Sequence, residues 1–325
     1  MLKMAIIGQE GHYNYAMEGL AERNDIKLCA IAPGQTGGDI SALKQRTAPF
    51  SPRIYANHGE LLAAERPDIA VINPVFCYTA GITMACLRAG AHCFSEKPVA
   101  TELHDLDALR ECYAHSGRAL CGMFGIKGEP WFQALKAAVN AGEIGEVRQI
   151  HGQKSYRMGT RPEFYSKRAL FGGLIPWVAI HAVDWAMEIG GHCQSVAASH
   201  STRANRGNGE MEATSALLME LDNGVIATVT ADFLRPTASA RHDDDRLRVT
   251  GTQGMIEAID GKVYLENDKP RRELELPARE SYFSRFVDAI LDGSAEPLAQ
   301  EAFEVTRVCL LARQSADEGT RISID

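Results

Sequence analysis

"VINPVFCYTAGITMACLRAGAHCFSEKPVA", residues 71–100, decides how the N-terminal part of this chain folds. An apolar run from Ile69 to Asn73 stops at Pro74, because a proline biases the residue before it toward extended backbone. Gly81 to Arg88 then reads as a helix, and His92 to Ser95 as a second short strand that ends at Glu96-Lys97-Pro98. Strand, helix and strand in about thirty residues make a βαβ unit, the building block of a parallel sheet.

Outward from that unit the same alternation continues. Leu2 to Ile7, Lys27 to Ala32 and Ala119 to Phe124 read as further strands. Tyr13, Met17 and Leu20 make an apolar stripe on a first helix, and Leu103 to His115 reads as a crossover helix. Residues 1–123 are therefore expected to form a Rossmann-like domain. In its first turn, "IIGQEGHYNYAMEGL" at 6–20, Gly8 and Gly11 keep the backbone permissive, while Glu10 and Tyr13 stand where a dinucleotide fingerprint places glycines. The second strand ends Ala32-Pro33-Gly34 without an acid to hold a ribose hydroxyl, so the loop leaves NAD and NADP both open.

After residue 123 the pattern changes. A helix over Pro130 to Ala141 precedes long alternating strands at 146–156, 194–201, 211–221, 225–233, 245–250 and 255–266. Short turns such as Asp222-Asn223-Gly224 predict an antiparallel sheet, and helices near 280–291 and 299–315 close the chain. Residues 124–325 thus read as an α+β domain with an open, mostly antiparallel sheet.

With 325 residues and 45% hydrophobic content the chain can bury a core in each domain. A net charge of −8 argues against a nucleic-acid partner and for small molecules. No signal-peptide pattern opens the sequence, and no run approaches about 18 apolar residues, so a soluble cytoplasmic protein is expected. Eight scattered cysteines without a Cys-x-x-Cys pair read as reduced thiols, with no metal site.

The segment 71–100 resembles the Gfo/Idh/MocA oxidoreductases, which include glucose-fructose oxidoreductase and inositol dehydrogenase. The resemblance extends through "EPWFQALKAAVNAGEIGEVRQI" at 129–150, "GGLIPWVAIHAVDW" at 172–185, "DDRLRVTGTQGMIE" at 244–257 and "LLARQSADEG" at 310–319. It implies NAD or NADP bound by Gly8, Gly11, His12, Asn73, Pro74, Glu96, Lys97 and Pro98. It also implies a catalytic pair, Lys97 and His181, that takes the proton while a sugar, cyclitol or sugar-derived polyol gives up hydride. A homo-oligomer, dimer or tetramer, follows from the same resemblance.

This chain departs from the family where an acid usually precedes the histidine by four residues, for that position is Trp177. Asp184 is placed to orient the imidazole instead. Lys127 takes the place of a frequent arginine, and Tyr78 that of a frequent histidine. Tyr156, Arg157, Arg161 and Tyr165, in the polar segment 155–168, join Lys127, Trp177 and His181 as candidate substrate contacts, and the separate segment 240–249 offers His242. Two other readings stay open: a relative that retains its cofactor while cleaving or eliminating glycosides, and a non-catalytic sensor of sugar or nucleotide.

Overall fold

A computed structural model describes residues 1–324. The chain divides into two compact units, one of residues 1–125, 169–172 and 281–306, the other of 126–168, 173–280 and 307–325.

The first unit begins with β1 (Leu2–Ile7), α1 (Asn14–Glu22), β2 (Ile26–Ala32), α2 (Ser41–Thr47), β3 (Arg53–Ile54), α3 (His58–Glu65) and β4 (Ile69–Ile72). It continues through α4 (Thr79–Arg88), β5 (His92–Ser95), α5 (Leu103–Ser116) and β6 (Leu120–Gly122). The six strands pair in parallel in the order β3-β2-β1-β4-β5-β6. β4 is buried along its whole length, as a strand covered on both faces must be. Strand order reverses beside β1, so the carboxyl ends of β1 and β4 flank the position where such sheets bind ligands.

In the second unit α6 (Pro130–Asn140), β7 (Val147–Arg157), α8 (Ile180–Gly190), β8 (Cys193–Ser201) and β9 (Thr214–Leu221) lead into β10 (Ile226–Arg235) and β11 (Asp243–Gly251); α7 (Arg168–Phe171), between β7 and α8 in the chain, falls with the first unit from Ala169 on. The second unit also holds β12 (Met255–Ile259), β13 (Lys262–Glu266), β14 (Arg272–Glu273) and β15 (Ile322–Ser323), whereas α9 (Tyr282–Asp292) belongs to the first unit and α10 (Glu296–Glu318) is divided between the two after Thr306. Nine strands form one sheet in the order β14-β13-β12-β11-β7-β10-β9-β8-β15, in which only β7 and β10 run parallel. One face is covered: Ser215, Leu217, Met219 and Leu221 of β9 are buried, while Ala216, Leu218 and Glu220 are exposed. α8 lies close on that face because Gly152 of β7 has no side chain; a Cβ there would stand 3.1 Å from that of Ala182.

Within 255–266 the sequence reads a short turn at Asp260-Gly261, and the structure reverses a hairpin there, both residues in left-handed backbone. The segment from 168 to 190 is long and apolar enough to cross a membrane, yet its most apolar stretch is almost wholly buried inside the fold, as in a core helix.

Candidate functional site

The turn between β1 and α1 is shaped by Glu96. Its carboxylate, fully buried, accepts the His12 amide at 2.5 Å, the Asn73 Nδ2 amide at 3.0 Å and the Lys97 amide at 3.0 Å, and the His12 ring lies 2.9 Å from Oε1. Around so crowded a carboxylate only glycine fits. A Cβ on Gly11, at φ +78°, would come 2.0 Å from Glu96 Oε2, and one on Gly8, at φ +84°, would come 2.1 Å from the Asn73 carbonyl oxygen. The second glycine of the turn stands at position 11, not 10, and there the Glu96 carboxylate leaves no room for a side chain. Glu10 is half-buried, donates its amide to Asn73 O at 2.9 Å, and has its carboxyl pushed upward by burial and then by Asp39. His12 stacks on Tyr15, whose ring fills the space that a side chain at Gly125 would take.

Among the described residues the amides of Gln9 and Gly11 have no protein acceptor. With the N-terminus of α1 beside them they suit an anion such as a pyrophosphate. Lys97 is 1% exposed and its peptide bond to Pro98 is cis. The first unit thus brings together Gly8, Gly11, His12, Asn73 and Glu96, with Pro74, Lys97 and Pro98 continuous with them in the chain.

In the second unit His181 and Trp177 are both buried. Residues Ile175–Ala179 form a π-helical turn that contains Pro176, so the four-residue step from Trp177 to His181 does not follow α-helical phase. Three residues after His181, Asp184 is buried and paired with Lys127, Nζ to Oδ1 3.0 Å; the same ammonium reaches Glu188 Oε2 at 2.8 Å, and Lys136 contacts the other Glu188 oxygen. Lys127, expected to meet substrate, is held by two carboxylates.

Burial drives the Asp184 carboxyl up to about 6 despite Lys127. Burial acts the same way on Glu188, but Lys127 and Lys136 overcome it and hold that group down to about 2. The two affect stability in opposite senses. Asp184 stabilises the fold fully below 3.8, its ordinary value, and this contribution is lost as pH rises through about 6. Glu188 stabilises above 4.5 and loses that contribution as pH falls toward about 2. From pH 4.5 to roughly 6.5 the Asp184 effect dominates, so urea unfolding should show a stability loss on the order of 2 kcal/mol. In Asp184→Asn that slope should vanish.

Sequence reading passed over a second buried pair. Lys154 Nζ lies 2.6 Å from both Asp245 oxygens and 5.8 Å from the Trp185 ring centroid, against the covered face of the sheet. Its signal was phase: Ile150, Gly152 and Lys154 alternate onto the inward side of β7. Lys154→Met leaves the carboxylate buried without its cation and should cost about 3–5 kcal/mol in denaturant unfolding, most of it recovered by Lys154→Met with Asp245→Leu. Tyr156 lies over this pair, 5.0 Å from Lys154 Nζ to the ring centroid, and stacks on His242 at 4.9 Å. Arg161 donates to the Arg157 carbonyl at 2.8 Å.

A parallel sheet in this strand order, with a glycine turn opening on a helix N-terminus, is the dinucleotide-binding frame of the Rossmann oxidoreductases. Residues 2–123 match the family model described as an oxidoreductase family with NAD-binding Rossmann fold, and residues 132–257 match the GFO/IDH/MocA C-terminal domain. The chain belongs to the Gfo/Idh/MocA oxidoreductase family.

It is 40% identical to an oxidoreductase from Thermotoga maritima, with a TM-score of 0.96 over 99% of this chain and all of that one. It is 25% identical to inositol 2-dehydrogenase of Salmonella typhimurium over 160 residues, 49% of this chain and 44% of the relative, so the match spans less than half of that protein. The aldose-aldose oxidoreductase of Caulobacter crescentus complexed with glycerol, 22% identical, shares the fold with a TM-score of 0.84 over 99% of each chain.

Proposed function

We propose that this chain is an NAD-dependent dehydrogenase that oxidises a secondary alcohol of a sugar, cyclitol or sugar-derived polyol. The observation that carries the reading is the Glu96 carboxylate, which ties the glycine turn to the residue immediately before the buried Lys97. The Gln9 and Gly11 amides and the head of α1 would hold the cofactor's pyrophosphate, with Asn73, Pro74 and Pro98 bordering the same turn. When bound, NAD supplies the hydride acceptor. Lys97 takes the proton that the substrate hydroxyl releases, and His181 shares that work, since imidazole titrates near neutral pH. Asp184, expected to orient His181, is engaged by Lys127 instead, and Tyr156, Arg157, Arg161 and Trp177 contact substrate. The exposed apolar side chains Leu218, Ile226 and Leu234 on the sheet of the second unit fit self-association through that face.

The test is turnover of a polyol and sugar panel with NAD, followed by nicotinamide absorbance. Reduction of NAD by a panel member supports the reading. A folded protein that binds NAD and reduces it with no panel member overturns it.

A further inference from the structure

Arg161 sits outside the proton-transfer residues, in an unusual setting for a cation. Its guanidinium lies over the Phe233 ring at 4.4 Å and over the Tyr165 ring at 5.6 Å. Its Nε is buried with no hydrogen-bond acceptor, and among the described residues no carboxylate lies within ion-pair range of Arg161 or of Arg157. The nearby acid, Asp243, faces Lys154 at 3.9 Å and Arg241 at 3.8 Å instead. A buried donor without an acceptor costs about 1–3 kcal/mol, a cost that a bound acceptor removes. The remaining groups add positive potential. Arg157, whose amide donates to the His242 carbonyl at 3.0 Å and whose guanidinium donates to the Ser239 carbonyl at 3.4 Å, adds a second positive charge that acts on the imidazole. Burial holds the His242 ring below its ordinary value, with Arg161 and then Arg157 pushing the same way.

Aromatic contacts run from this cation to the helix that carries His181. Tyr165 meets Trp177 edge to face at 6.4 Å, and Trp177 precedes His181 in the same helical segment. A ligand anchored at Arg161 would extend along Trp177 toward the imidazole.

We infer that Arg161, backed by Phe233 and Tyr165 and flanked by Arg157 and His242, is a carboxylate subsite, and that the substrate is an acidic sugar such as an aldonate or uronate. A planar guanidinium edge matches a carboxylate, two oxygens to two N–H groups. The aromatic faces behind it exclude water and keep that edge in place. This assignment rests on reading the chain as a polyol dehydrogenase, and it replaces the neutral polyol with an acid.

The test is calorimetry on the NADH-loaded protein with hexonates and hexuronates, each paired with its neutral hexitol or hexose and with the corresponding sugar phosphate. At least one acid should bind about tenfold or more tighter than its neutral partner. In Arg161→Gln that ratio should fall to near one with NADH affinity unchanged, and Arg161→Lys, which keeps the charge in a similar volume, should retain part of it. Equal binding of every acid and its neutral partner, an unchanged ratio in Arg161→Gln, or tighter binding of the phosphate would each overturn the assignment. Acid preference without any NAD reduction would instead leave the subsite standing and remove the dehydrogenase reading.

Discussion

Lys97→Ala loses turnover by about 10²–10⁴-fold, the range a positioned proton-transfer group contributes, while NAD affinity changes little. The side chain is 1% exposed, so its removal takes away a desolvated amine that bulk water replaces poorly. Its backbone amide, which donates to Glu96 at 3.0 Å, survives the substitution, so the glycine turn keeps its shape. Steady-state rates with the preferred substrate, beside calorimetry of NAD, separate the two effects. A rate within about tenfold of wild type would assign the proton transfer elsewhere, with His181 the next group to test.

Gly11→Ala abolishes NAD binding at accessible concentrations. The new methyl would stand 2.0 Å from Glu96 Oε2 in a backbone at φ +78°, so the carboxylate must move. Its displacement frees the His12, Asn73 and Lys97 donors together, and each buried donor left unpaired costs about 1–3 kcal/mol. The left-handed conformation adds about 1–3 kcal/mol for a non-glycine residue. A loss of affinity beyond roughly a hundredfold follows, measured by calorimetry. Adding Glu96→Ala removes the clash but leaves the same three donors unpaired, so the double variant should bind NAD no worse than Gly11→Ala alone. Additive losses would mean that the carboxylate is not what the glycine accommodates.

Much of this architecture was legible because burial leaves a mark on sequence. β1, β4 and β5 are short apolar runs between turn residues, and their limits agree with the sequence reading to within a residue. β3 left no mark: Arg53 and Ile54 are both exposed, and two residues have no period. α3 had a signal, Asn57 capping Glu60 N at 2.9 Å and reaching its carboxylate, but too little apolar periodicity to draw notice.

At the candidate site, Asn73, Glu96 and Lys97 could be placed from the strand ends that precede them. What sequence could not convey is that Glu96 shapes the loop, since that depends on contacts between His12 and a residue 84 positions away. The π-helical turn around Pro176 likewise defeats spacing arguments built on a regular helix. The Lys127 ion pairs escaped notice because their carboxylates lie on α8, far along the chain.

The first unit takes part of its interior from far downstream. Phe94 of β5 packs against Phe283 at 5.2 Å and Phe286 at 5.6 Å, a Cβ on Gly19 of α1 would strike Phe283, and one on Gly122 of β6 would approach Ala302. During synthesis the six parallel strands leave the ribosome with this hydrophobic surface bare, and residues 281–306 arrive only near the end of translation. The nascent nucleotide-binding half therefore waits, partly uncovered, while about half of the chain is made. It is in that interval that chaperones would find it.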